Sequence, residues 1–349
     1  MPGSPRATRA AALTLALAFS LTLSACGSDG GGGSGAGDRT LRLAYQAFPS
    51  GDLIVRDQGW LEEALPEWDI EWTRFDSGAT INTAFVAESV DLAAIGSSPV
   101  ARGLSAPLDI PYQVAWVLDV AGENEALVAR EDAGIGSVAD LEGRTVGVPF
   151  ASTSHYSLLA ALEQAGLDAA SVDIVDLEPQ DIVAAWTRGD IDASYVWLPT
   201  LDELRETGRT LTTSEEVAAA GKPTLDLGVA STAIVEEHPE VIAAWREVQA
   251  RALDLIHDNP AAAAEAVGRQ LGIDADAAAA QLAQGVFLRP ADQSSPQWLG
   301  TPEEIGDVAV NLHDAAEFLA EQHQIESAPD LAVFQEAVHA EGLADVDGS

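Results

Sequence analysis

From Leu41 onward the chain alternates short apolar runs with amphipathic stretches of helical period. TLRLAYQ (40–46) reads as a strand and LIVRDQGWLEEAL (53–65) as a helix. DIEWTRF (69–75) alternates like a strand, and SGATINTAFVAES (77–89) sets Ile81, Ala84 and Phe85 on one helical face. DLAAIG (91–96) is a strand, SSPVARGL opens a helix with Pro99 in its first turn, and YQVAWVLDV (112–120) and EALVARE (125–131) are strands. A second unit repeats the pattern. RTVGVPF (144–150) is followed by a helix over 154–167, whose Leu158, Leu159, Leu162 and Ala165 form one stripe closed by Gly166. Strands at 173–177 and 192–198 enclose a helix at 179–189, and LDLGVASTAIV (225–235) is again a strand. From His238 onward the chain is helical and has no sheet of its own.

This order predicts an α/β protein of two lobes, each a mostly parallel sheet flanked by helices. The sequence boundaries are 39–133 plus 225–349 for lobe 1 and 134–224 for lobe 2. The chain would cross between lobes near 132–138 and near 221–226. Two crossings make a hinge, and the cleft between the lobes is the natural ligand site.

The N-terminus is of a different kind. Arg6 and Arg9 precede AAALTLALAFSLTL (10–23), which is too short for a comfortable membrane span and fits the apolar region of a signal peptide. Leu23-Ser24-Ala25-Cys26 then looks like a bacterial lipobox, in which the cysteine is lipid-modified and the signal is cut just before it. An ordinary signal peptide with a chance cysteine is the plainer alternative. The lipobox accounts for a single cysteine in 349 residues, since no disulfide partner is needed. Residues 1–25 are thus read as signal peptide and 26–38 as anchor and Gly/Ser tether. Eleven such residues reach roughly 18 Å root-mean-square. The globular part would float just outside the cytoplasmic membrane, exported and lipid-anchored to its outer face.

Charge changes the picture once more. There are 17 basic against 56 acidic residues, a net charge of −39. Such a surface repels phosphate backbones and excludes nucleic acid as a partner. An anionic ligand would need local positive potential from the site itself.

Catalytic signals are missing. The six histidines show no i, i+4 pair, and the sequence has no H-E-x-x-H, C-x-x-C, P-loop or G-x-S-x-G. No metal, cofactor or catalytic residue is expected. Binding signals are stronger. Asp76-Ser77-Gly78-Ala79-Thr80, Gly96-Ser97-Ser98-Pro99 and Ser152-Thr153-Ser154-His155 each lie where a strand ends and a helix begins. That edge of an open sheet faces the crevice, and helix N-termini offer free N–H groups and partial positive charge. Plain N-capping would also place these residues there.

Together these stretches are similar to those of the solute-binding proteins of ABC importers for taurine. The matching phrases are FDSGATI (75–81), IGSSP (95–99), NEALV (124–128), VPFASTSHYSLLAAL (148–162), AAWTRGDIDASYVW (184–197) and PTLDLGV (223–229). The likeness covers roughly 40–240, is weaker in the helical tail, and departs from the family after Tyr45-Gln46, where AFPSGD stands. The resemblance implies a type II periplasmic-binding fold, no catalysis, and delivery of ligand to a membrane permease with a cytoplasmic ATPase. A monomer is expected. Taurine carries a sulfonate and an ammonium. The sulfonate is assigned to Ser77, Gly78, Ala79, Ser98, Thr153, Ser154 and His155, and the ammonium to Asp226. Tyr45, Gln46 and Trp197 are further contacts. Another alkanesulfonate or a sulfate ester is the alternative cargo, and an enzyme like the pyrimidine synthases of thiamine biosynthesis is a remote one.

Overall fold

The computed structural model describes residues 39–346. The lipobox cysteine Cys26, the signal peptide and the tether lie outside the described residues. No helix among the described residues is long and apolar enough to cross a membrane.

The first half runs β1 (Thr40–Gln46), α1 (Gly51–Gln58), α2 (Trp60–Ala64), β2 (Asp69–Phe75), α3 (Gly78–Val86), β3 (Leu92–Gly96), α4 (Ser97–Gly103) and β4 (Tyr112–Val120). The second unit holds β5 (Glu125–Arg130), β6 (Thr145–Val148), α5 (Thr153–Gln164), β7 (Asp173–Asp176), α6 (Pro179–Arg188), β8 (Ala193–Trp197), α7 (Thr200–Arg205), β9 (Gly208–Thr213) and α8 (Ser214–Ala219). The chain then returns through β10 (Leu225–Ser231) into the helices α9 (Thr232–Glu237), α10 (Pro239–Asp258), α11 (Pro260–Leu271) and α12 (Ala275–Leu282). A small hairpin, Gly300–Thr301 with Glu304–Ile305, interrupts the helical tail that sequence patterning left without strands.

Two five-stranded sheets result, ordered β2-β1-β3-β10-β4 and β7-β6-β8-β5-β9. In each sheet one strand runs against its neighbours: β10 in the first and β5 in the second. Each is the strand that has just arrived from the other lobe. This corrects the sequence boundary at 133. Glu125–Arg130 pairs with β8 and β9, so it belongs to the second sheet, and the outward crossing lies at 121–124. An apolar run of this length fits either sheet, and only its pairing decides.

The strands that meet the cleft are central ones. All five residues of β3 are buried, as are the first five of β5. Helix α5 buries its first ten residues because it serves two cores. Leu158 and Leu162 pack on the second sheet, whereas Tyr156 meets Phe318 of the C-terminal helices edge-on at 4.9 Å between ring centroids. The C-terminal layer is tied back to the first sheet. A Cβ at Gly228 on β10 would lie 2.4 Å from Trp245 of α10, so only glycine lets that indole pack flat on the strand. Arg246, buried beside it, donates to the carbonyls of Ala115, Glu341 and His339 and so pins the end of the chain to β4.

Candidate ligand site between the lobes

Strand ends from both sheets meet at one end of the cleft and enclose a small cavity. Its walls include Gln46, Phe48 and Pro49 after β1, Gly78 at the start of α3, Gly96 and Pro99 at the start of α4, and Ser152 and Thr153 at the start of α5. Asn124, Glu125, Trp197, Leu198, Ala121 and Asp226 complete it. Three helix N-termini therefore point at one space. A helix start leaves its first N–H groups without intrahelical partners and carries roughly half a positive charge. Among the described residues, no lysine or arginine lines the cavity.

Close packing around the cavity, within the first lobe and between the lobes, depends on glycine. A Cβ at Gly78 would meet Pro99 at 2.5 Å, and one at Gly96 would meet Thr153 Cγ2 of the other lobe at 2.5 Å. Small residues here bring backbone amides, rather than side chains, to the cavity wall.

The opposite wall is acidic. Asp226 begins β10 and sits in register with Gly96 on one side and Asp119 on the other. Glu125 begins β5 and sits opposite Trp197 of β8. Its carboxylate accepts from Thr153 Oγ1 at 2.5 Å and Ser214 Oγ at 2.7 Å. Burial pushes the Asp226 carboxyl up to about 7, against a hydrogen bond from Asp119, and the charge of Glu125 adds to the rise. Burial also raises Glu125, in part offset by the Thr153 and Ser214 hydroxyls. Asp119, wholly buried behind Asp226, is raised well above the carboxylate range by burial and by the charge of Asp226.

Of the residues singled out in the sequence, Gly78, Thr153, Asp226, Gln46 and Trp197 line the cavity. Gln46 is held by its Nε2 donating to the Ala94 carbonyl at 3.2 Å. The others lie outside the lining. The Ser77 hydroxyl turns to the second lobe and donates to Glu178 Oε1 at 3.0 Å, a bond across the cleft. Ala79 follows Gly78 in the first turn of α3. Ser98 and Ser154 are buried and their hydroxyls have no hydrogen-bond partner. His155 does not face the cavity. Its ring stacks on Phe150 at 4.6 Å and accepts from the Ala151 N–H through Nδ1, its backbone N–H donates to Ser152 Oγ, and burial lowers its pKa to about 4. Tyr45 points away from Gln46 by the two-residue period of its strand and packs on Trp72 and Arg56. The Thr153 hydroxyl is committed to Glu125, which leaves its backbone N–H for a ligand.

Sequence reasoning missed Glu125, Asp119, Asn124 and Phe48. The signal for Glu125 was present, an acid opening an otherwise apolar strand in NEALV. Asp119 was hidden inside a strand pattern, and nothing in spacing alone sets it beside Asp226.

The chain matches the model of a family described as NMT1/THI5 like over residues 78–263. It is 36% identical over 262 residues to the taurine-binding periplasmic protein of Escherichia coli, covering 73% of this chain and 78% of that one. Among solved structures, the periplasmic aliphatic sulphonate binding protein SsuA of Escherichia coli superposes with a TM-score of 0.69 at 23% identity, over 88% of this chain and 100% of that chain. The alkanesulfonate-binding protein SsuA of Xanthomonas axonopodis pv. citri, bound to MOPS, gives 0.70 at 20% identity over 86% and 98%. These two share the fold of two α/β lobes. The chain belongs to the NMT1/THI5-like family, alongside the taurine- and sulfonate-binding periplasmic proteins of ABC importers.

Proposed function

We propose that the protein captures taurine outside the cytoplasmic membrane and delivers it to an ABC permease driven by a cytoplasmic ATPase. The observation that carries this reading is the two-poled cavity. Three helix N-termini, with no basic side chain in the described lining, stand opposite the carboxyl groups of Asp226 and Glu125. A sulfonate is weakly basic and is satisfied by neutral N–H donors. Those of Gly78, Ala79, Ser98, Thr153 and Ser154, at the starts of α3, α4 and α5, are available by position. An ammonium needs a charged acceptor, and Asp226 with Glu125 supplies one. Phe48 and Trp197 flank the short aliphatic link.

Size agrees. With about seven heavy atoms, taurine has a binding ceiling near −10 kcal/mol, or tens of nanomolar. Reaching it requires both poles to be filled. Cleavage before Cys26, lipidation of that cysteine and the 26–38 tether would hold a monomeric receptor at the membrane's outer face, within reach of its permease. Calorimetric titration with taurine and with ethanesulfonate tests the cargo. Taurine is expected to bind at least a hundredfold more tightly, because the sulfonate alone leaves buried carboxylates unpaired. Equal affinities would instead make the protein a general alkanesulfonate receptor.

A further inference from the structure

Asp119 is among the most deeply buried acids of the chain, at 0% exposed, and it does not touch the cavity. It faces Asp226 directly across the antiparallel β4–β10 pair, which puts the two carboxyl groups on the same face of the sheet, within reach of one another. A hydrogen bond between them requires one proton, and two carboxylates in contact without a cation do not both ionise. No cation is near. From β5 comes another acid, Glu125, and the segment after α12 brings Gly285, whose Cβ position would be 3.3 Å from Asp119 Oδ2, and the uncharged ring of Phe287 beside it. Asn124 Nδ2 donates to that same Oδ2 at 3.2 Å, fixing it as an acceptor. The other oxygen, Oδ1, receives no donor at all. It is thus the oxygen free to carry a proton.

We propose that Asp119 is the protonated member of a carboxyl–carboxylate dyad with Asp226, and that this dyad, not Asp226 alone, forms the ammonium subsite. Asp119 is a positioning residue. Its O–H occupies one oxygen of Asp226 and leaves the other for the ligand. The dyad thereby adds one negative charge to the wall beside Glu125, where two free carboxylates would add two. The role assigned to the cargo's ammonium rests on the taurine reading; the dyad itself does not.

Two measurements on the whole protein test it. In calorimetry at pH 7 with taurine, Asp119→Ala is expected to bind at least tenfold more weakly than the unchanged protein. Asp119→Asn, whose uncharged carboxamide also donates to Asp226, is expected to restore affinity to within threefold. Infrared spectra of the unliganded protein are expected to contain a buried protonated-carboxyl band at pH 8 that Asp119→Asn removes. If Asp119→Asn binds as poorly as Asp119→Ala while unfolding at the unchanged temperature, Asp119 acts as a charge and the dyad is overturned. A spectrum without the band overturns it as well. Should Asp119→Asn not fold, the band in the unchanged protein decides alone. Absence of any taurine binding would refute the cargo, and the infrared result would still judge the dyad.

Discussion

Gly96 of the first lobe and Thr153 of the second are in such close apposition that a Cβ on Gly96 would stand 2.5 Å from Thr153 Cγ2. Neither backbone has to be unusual there: Gly96 has φ −67, open to any residue, so the glycine is required by the neighbour rather than by the turn. Gly96→Ala should therefore hold the lobes apart without unfolding either. Taurine affinity is expected to drop at least tenfold, with a larger radius of gyration by small-angle scattering in saturating taurine and little change in unfolding temperature without it.

Removing the carboxylate that lines the cavity tests the acidic pole. Truncating one partner of a buried charge pair costs about 2–5 kcal/mol. Asp226→Ala should thus weaken taurine by between about thirtyfold and several thousandfold. An unchanged dissociation constant in calorimetry would remove the ammonium from this wall.

Acidity should compete with the cargo. Asp226 sits at about 7 in the unliganded protein, and only its ionised form pairs with an ammonium. Affinity is expected to fall as pH drops below 7, approaching tenfold per unit, and to be nearly level from 7.5 to 8.5. Stability has the opposite slope. A carboxyl raised by folding keeps its proton in the folded chain after the unfolded chain has lost it. Its contribution is favourable at low pH and is lost as pH climbs from the ordinary value near 4 through about 7. Asp52, also raised to about 7 by burial, acts in the same sense. The unfolding temperature of the unliganded protein should decline over that window, less steeply in Asp226→Asn.

The bond between Ser77 and Glu178 joins the lobes at the rim, beside a second one from Gln180 Nε2 to Asp76 at 3.2 Å. Glu178→Ala removes the first without touching the cavity lining. One net hydrogen bond is worth about 1 kcal/mol, so release of taurine in stopped-flow should quicken about fivefold while association stays the same.

Much of this was legible before the structure. Alternating periods gave the two α/β units, and hydroxyl-rich junctions gave the helix starts. What stayed hidden involved pairing between distant strands. Glu125–Arg130 is apolar enough for either sheet, and it joins the second because β8 and β9 flank it. The Asp119–Asp226 contact spans the whole second lobe in sequence and exists only through strand register. His155 was drawn into the predicted site by adjacency, yet one turn of α5 carries its ring to Phe150, away from the N–H groups of Thr153 and Ser154.

Both crossings between the lobes end at the acidic wall: Asn124 closes the outgoing one and Glu125 follows it, and Asp226 follows the return. Acids planted on the pivot hardly travel when the jaws swing, whereas the amide-bearing starts of α3 and α4 on one jaw and α5 on the other must converge. For a zwitterion such as the proposed taurine, the cationic tip would be moored first, at a berth already built, and the anionic head clasped last, so that shutting the receptor would amount to checking the second half of the molecule.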